Sequence, residues 1–228
     1  MNMFKWDDGN EDNSSNNIIN VYHGSPNQHF KPTYGLGQDK HDYGRGFYVT
    51  ENIELAKEWA TLGQRQGYLH KYNLNLTNLK ILDFEKLNVY NWLAELLYHR
   101  PASNGFAYKK RSEIFIQKFK IDTSGYDIIK GYRADASYFS IAKRYIRAEI
   151  DTDLLDELLR VGELGIQLCI KSRKAYENLI EVDEPYLVDS EYINRYIKRD
   201  TEARNLMENV IRSEVNTLTN TIDKILFE

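Results

Sequence analysis

Apolar positions along this chain change period several times, and each change marks a new element of a mixed fold. The run Ile18-Ile19-Asn20-Val21-Tyr22 is short, β-branched and aromatic, and it closes in His23-Gly24-Ser25-Pro26, so it predicts a buried strand ending in a turn. A loop rich in Gly, Asp, His and Tyr follows from Gln28 to Arg45, after which Gly46-Phe47-Tyr48-Val49-Thr50 returns to strand composition. Asn52 then caps a segment with Leu55, Ala56, Trp59, Ala60 and Leu62 at helical spacing. The spacing predicts a helix over Ile53 to Gln66, with Gly63 or Gly67 able to stop it.

Tyr68 to Leu76 and Lys80 to Phe84 read as strands, and Leu87 to Gln117 as two helices flanking a loop, since Arg100-Pro101 and Asn104-Gly105 interrupt the pattern. Further on, Tyr126 to Ile129 and Leu164 to Ile170 fit strands, while Ser137 to Arg147 and Asp153 to Val161 fit short helices. From Glu191 onward, residues such as Tyr192, Tyr196, Ala203, Met207, Ile211, Leu218 and Ile222 recur every three or four positions, the stripe of one long amphipathic helix or two shorter ones. The order is α+β. Residues 1–17 form an acidic lead too polar to offset its ordering entropy, 18–188 one domain, and 189–228 a helical C-terminal extension.

Composition narrows the function. The formal net charge is −4 with basic residues dispersed, which argues against a dedicated nucleic-acid binder. The one cysteine, Cys169, rules out a disulfide framework and suits a reducing compartment. No signal-like stretch is found at the N-terminus, and no window approaches the roughly 18 apolar residues of a membrane span. These readings predict a soluble cytoplasmic protein with no membrane partner. The 17 tyrosines favour an aromatic-lined cleft as well as ordinary half-buried packing.

Candidate chemistry gathers at Tyr22-His23-Gly24-Ser25 and Asp42-Tyr43-Gly44-Arg45-Gly46-Phe47-Tyr48-Val49-Thr50, followed at once by the helix with Ala56 and Trp59-Ala60. With Gly131-Tyr132-Arg133-Ala134-Asp135 and Leu164-Gly165-Ile166-Gln167, this combination resembles a bacterial domain family of unknown function that is grouped with the His-Tyr-type ADP-ribosyltransferases. The likeness covers about residues 20 to 180. It implies split sheets with flanking helices and an NAD-dependent transferase that passes ADP-ribose to a macromolecular acceptor, protein or nucleic acid. It also implies a toxin neutralised by a small antitoxin protein.

The resemblance implies roles residue by residue. His23 bonds the adenosine ribose, the Gly24 backbone holds the nicotinamide carboxamide, and Ser25 is a further polar ligand near the ribose. Tyr48 stacks on the nicotinamide ring, and Gly46, Phe47 and Thr50 belong to the same cofactor-binding strand. The position where the superfamily usually carries a glutamate is matched by Gln167. An amide can bond a ribose hydroxyl but brings no negative charge to a developing cation. Asp135, Glu163 and Asp127 are the acids that could compensate, Asp135 foremost.

Blander or rival readings stand beside these. His23 could be a turn histidine, Tyr48 a core residue, and Gln167 the outward residue of a plain strand. Gln167 in place of the acid would also suit an NAD-binding module with little or no catalysis. A metal-independent ribonuclease could use His23, His41 and Tyr48 as acid and base. His23, His29, Asp39, His41 and Asp42 match no metal-ligand spacing, so no metal is expected. Lys171, Arg173 and Lys174 read as a solvated charged edge.

Overall fold

The computed structural model describes residues 17–63, 66–101, 105–160, 165–214 and 219–227. Nearly all of the acidic lead assigned to residues 1–17, and Glu163 with it, lies outside these residues. The fold is α+β with two open sheets. In the first, β1 (Ile18–Ser25) pairs antiparallel with β3 (Gly67–Asn75), whose other edge takes β7 (Leu179–Glu181) and β8 (Tyr186–Val188). The second runs β2 (Phe47–Val49), β6 (Ile166–Ile170), β5 (Ile128–Tyr132), β4 (Ile81–Asp83), with only β4 and β5 parallel.

The sheets face each other across Val21, Tyr72 and Leu74 from the first and Phe47, Val49, Ile128, Leu168 and Ile170 from the second. A single bridge, Tyr22 to Thr50, joins β1 to β2. The larger core lies on the far side of the second sheet, under α2 (Val89–His99), α3 (Phe106–Phe119), α4 (Ala136–Ile146) and α5 (Thr152–Arg160). The C-terminal stripe is built into this same core: Ala203, Met207 and Ile211 of α7 (Glu191–Glu214) and Ile222 and Leu226 of α8 (Ile222–Phe227) are buried there. Helices α7 and α8 thus share the domain's interior.

Helix α1 (Ile53–Thr61) covers the outer face of the first sheet, and Asn52 caps it by accepting from the backbone N–H groups of Glu54 and Leu55. It stops short of the expected Gln66, because Leu62 leaves helical geometry and the chain turns at Gly63. Two further pieces were not foreseen: β7 with β8, and the five-residue α6 (Arg173–Glu177). All are too short for a period to register.

Two glycines let α1 lie directly on the sheet. A Cβ on Gly24 would stand 2.1 Å from the Ala56 carbonyl oxygen and 2.2 Å from the Ala60 nitrogen, and one on Gly67 1.8 Å from the Ala60 carbonyl oxygen. Backbone atoms cannot swing aside as a side chain can. Gly24→Ala is therefore expected to destabilise the protein by roughly 3 kcal/mol or more, read as a lower urea midpoint at unchanged m-value.

Candidate active site

A cleft of about 680 Å3 opens where the sheets diverge beyond the Tyr22–Thr50 bridge. His23, Gly24, Gly46, Phe47, Tyr48, Gln167 and Asp135 all line it. Residues separated by more than a hundred positions are brought together because β1, β2 and β6 meet at this end and the turn from β5 into α4 passes beside them.

The strand alternation decides what Gly24 offers. Tyr22 exchanges both backbone hydrogen bonds with Thr50, at 2.8 and 3.0 Å, so its N–H and C=O point away from β3. Two residues on, Gly24 has the same orientation. It lies past the bridge, where β2 has separated, and among the described residues no group bonds its N–H or C=O. An unpaired donor and acceptor from one residue thus face the cleft.

His23 points the other way, between Phe30 (ring centroids 4.8 Å apart) and Phe47 (4.6 Å). Its Nδ1 lies 2.8 Å from the Tyr48 carbonyl oxygen. Burial pushes the ring's pKa down to about 4. The neutral ring therefore donates from Nδ1 to that carbonyl, which makes Nε2 an acceptor.

Tyr48 offers a ring and not a titrating hydroxyl. Its hydroxyl donates to the Gly44 carbonyl at 2.6 Å and accepts from the Tyr43 N–H at 3.0 Å, tying down the loop that enters β2. Burial holds its pKa far above the usual phenol range. Gly44 carries φ +72° in that loop, and a Cβ there would strike the His99 ring.

At the floor, Asp42 gathers three donors: Arg100 Nη1 at 2.7 Å on one oxygen, and the Ala134 N–H and Gln167 Nε2, each at 2.8 Å, on the other. Gln167 is thereby oriented by Asp42 and is no plain surface-strand residue, being 4 % exposed. Toward α1 and α7 the wall is ionic. Asp135 pairs with Arg133 at 2.8 Å and Arg199 at 3.0 Å, and Arg199 also grips Glu58 at 2.7 Å. Burial pushes the Asp135 carboxyl up, against the pull of both arginines. Arg133 lies over the rings of Trp59 (5.6 Å) and Tyr196 (5.7 Å), and among the described residues its buried Nη1 finds no hydrogen-bond acceptor.

Other expected residues lie elsewhere. Ser25 is buried outside the cleft lining and its hydroxyl accepts from the Asn27 N–H. Thr50 donates to the Ile166 carbonyl and accepts from the Asn52 N–H, bracing the sheet junction and the start of α1. Asp127 holds the Lys80 N–H at the far end of the second sheet, and Arg45 pairs with Asp39 on the surface. Among the described residues no cluster suits a metal ion, and no helix is long and apolar enough to cross a membrane. Trp59, Arg100, Arg133, Tyr196 and Arg199 were not singled out as site residues. The i, i+3 pair Tyr196 and Arg199 on one helix face was the available signal for the last two.

A family model described as "Protein of unknown function (DUF3990)" matches residues 19–180. No curated protein and no solved structure matches the chain.

Removing the Asp42 carboxylate leaves Arg100 without its ion pair at the cleft floor. Asp42→Ala is expected to lose roughly 2–4 kcal/mol in chemical denaturation, less than for a wholly buried pair, because the Arg100 side chain is 26 % exposed. His23 gives a pH signature. The unfolded ring takes up its proton near pH 6.5 and the folded ring only near 4, so the unfolded state binds more protons between these values and stability falls as pH drops through that window. In His23→Gln the fall across that window should be shallower, while the two proteins run parallel above pH 7.

Proposed function

This chain belongs to the DUF3990 family, and we propose that it is an NAD-dependent mono-ADP-ribosyltransferase. The observation that carries this reading is the unpaired peptide edge of Gly24 beside the Tyr48 ring. A carboxamide has one acceptor and a donor pair, the complement of a free N–H and C=O, and a flat pyridinium suits a tyrosine platform. The resemblance of the His-Gly and Gly-Phe-Tyr-Val-Thr segments to His-Tyr-type transferases points to the same ligand, and the two open sheets suit a split-sheet fold.

As donor substrate, NAD supplies the ADP-ribosyl group and a nicotinamide leaving group. In this reading Gly24 binds the carboxamide, Tyr48 holds the ring, and His23 Nε2 accepts a ribose hydroxyl. The bond from the anomeric carbon to nicotinamide breaks, a bond to the macromolecular acceptor forms, and the acceptor's proton passes to Asp135. Among the described residues, of the cleft-lining carboxylates Asp42 and Asp135, only Asp135 has neither oxygen on a backbone N–H or an amide side chain, and its raised pKa suits a proton acceptor.

Gln167 favours a second reading, an NAD-binding module with little turnover, because a neutral amide directed at Asp42 adds no charge to the cleft. The ribonuclease reading lacks a titrating Tyr48, whose hydroxyl burial keeps protonated.

Nicotinamide release from labelled NAD in cell lysate tests the proposal. The wild type should release nicotinamide and label a macromolecule. His23→Ala should weaken NAD binding, and Asp135→Asn should cut transfer by roughly 100-fold or more while NAD still binds. Saturable NAD binding without release would establish the second reading, and absence of both would sink the NAD assignment.

A further inference from the structure

Asp135 stands at the N-cap position of α4, where an aspartate ordinarily accepts from the N–H groups of the helix's first turn, yet its side chain makes no capping bond. Its two oxygens are taken by arginines instead, Oδ1 by Arg133 at 2.8 Å and Oδ2 by Arg199 at 3.0 Å. The first turn of α4 is served from another helix. The Ser137 hydroxyl donates to Asp200 at 2.7 Å, and the Ser137 N–H bonds the same carboxylate. Two neighbouring residues of α7, Arg199 and Asp200, thus draw Asp135 off its own helix and fill the place it leaves.

Arg199 is itself held in place. Glu58 of α1 accepts from its Nε at 3.2 Å and from its Nη2 at 2.7 Å, and the same Nη2 donates to Asp135. The planar guanidinium therefore spans two carboxylates from different elements, a reach that the point charge of an ammonium does not reproduce. The charged and titratable groups around Asp135 are Arg133 just after β5, Glu58 of α1, and Tyr196, Arg199 and Asp200 of α7, the last paired with Arg204 at 2.8 Å. Burial favours the protonated acid and the two arginines oppose it. Of those two, Arg199 comes from outside the matched residues 19–180.

We propose that Arg199 is a positioning residue for Asp135, holding its carboxylate off the α4 N-terminus and at the wall of the cleft. Without Arg199 the buried carboxylate keeps one arginine and ionises only at higher pH, so the proton acceptor is lost at a pH where the wild type still has it. That consequence for transfer rests on the transferase reading, whereas the hold on Asp135 does not.

Carboxyl-carbon NMR titration of the full chain, with the Asp135 signal identified by its loss in Asp135→Asn, makes the test beside the pH profile of ADP-ribosyl transfer. In Arg199→Gln, which removes the charge, Asp135 should titrate about one pH unit higher or more, and the acid limb of the transfer rate should move with it. Arg199→Lys returns the charge without the planar fork and should fall between the two. The Arg199 side chain is 23 % exposed, so both variants should fold; if the Gln variant does not, the Lys variant carries the test through its smaller shift. A wild-type Asp135 titration in every folded variant, with only stability reduced, would overturn the proposal and make Arg199 a structural tie. The expected titration shift in a protein whose wild type transfers nothing would uphold the hold on Asp135 and remove the transferase reading.

Discussion

The Asp42 carboxylate holds the cleft in register. Its three donors come from the end of α2, the turn between β5 and α4, and the start of β6, and Asp42 itself sits in the long connection between β1 and β2. That connection has no regular hydrogen-bond ladder of its own, so side chains must order it. Neighbouring bonds complete the anchoring. The Tyr43 hydroxyl donates to the Tyr132 carbonyl at 2.6 Å, Lys171 to the Tyr43 carbonyl at 2.8 Å, and Tyr48 closes the loop on Gly44. Each of these ties runs between the connection and the second sheet. The half of the connection nearer Asp42 is thereby fixed to the cleft floor, and Gln167 takes its orientation from the same carboxylate.

The first half of the connection is held differently. Phe30 is placed by ring contacts with His23 and Phe47, and the Asn27 carbonyl faces Nε2 of His70 at 3.1 Å. Packing and one buried imidazole thus position the Phe30 side of the cleft. Dispersion contacts tolerate small displacements better than a carboxylate with three donors does. The Phe30 side is the more adjustable wall, and Gln167 and Tyr48 stand on the less adjustable one.

Much of this was legible in the sequence, and the exceptions have physical causes. β1, β2, α4 and the paired helices α2 and α3 announced themselves by period and by their turn residues. The helical reach of α1 was overestimated because Leu62 continues the apolar spacing while the backbone has already left the helix. His23, Gly24, Tyr48, Gln167 and Asp135 converge on the cleft, yet sequence adjacency misled for Ser25 and Thr50, whose hydroxyls are taken up by the turn to Asn27 and by the junction with Ile166 and Asn52. Lys171, Arg173 and Lys174, read together as a charged edge, separate in three dimensions into a half-buried tie, a cation over Tyr34 and a surface contact to the Asn78 carbonyl. The ionic wall was illegible because Glu58, Arg133, Asp135 and Arg199 come from three separated stretches, and nothing in one sequence pairs them.

Arg199 and Tyr196 also lie outside the matched residues 19–180, although they complete a wall of the cleft. Without α7, Asp135 would keep Arg133 but lose its second arginine, Glu58 would lose its closest cation, and Arg133 would lose one of its two aromatic neighbours. A buried carboxylate with fewer cations beside it is harder to ionise. The helix therefore does more than cover apolar surface: it sets the electrostatics at Asp135. The matched residues supply the Gly24 edge and the Tyr48 ring, and the C-terminal helix adds its arginine to the Asp135 carboxylate that lines the same cleft.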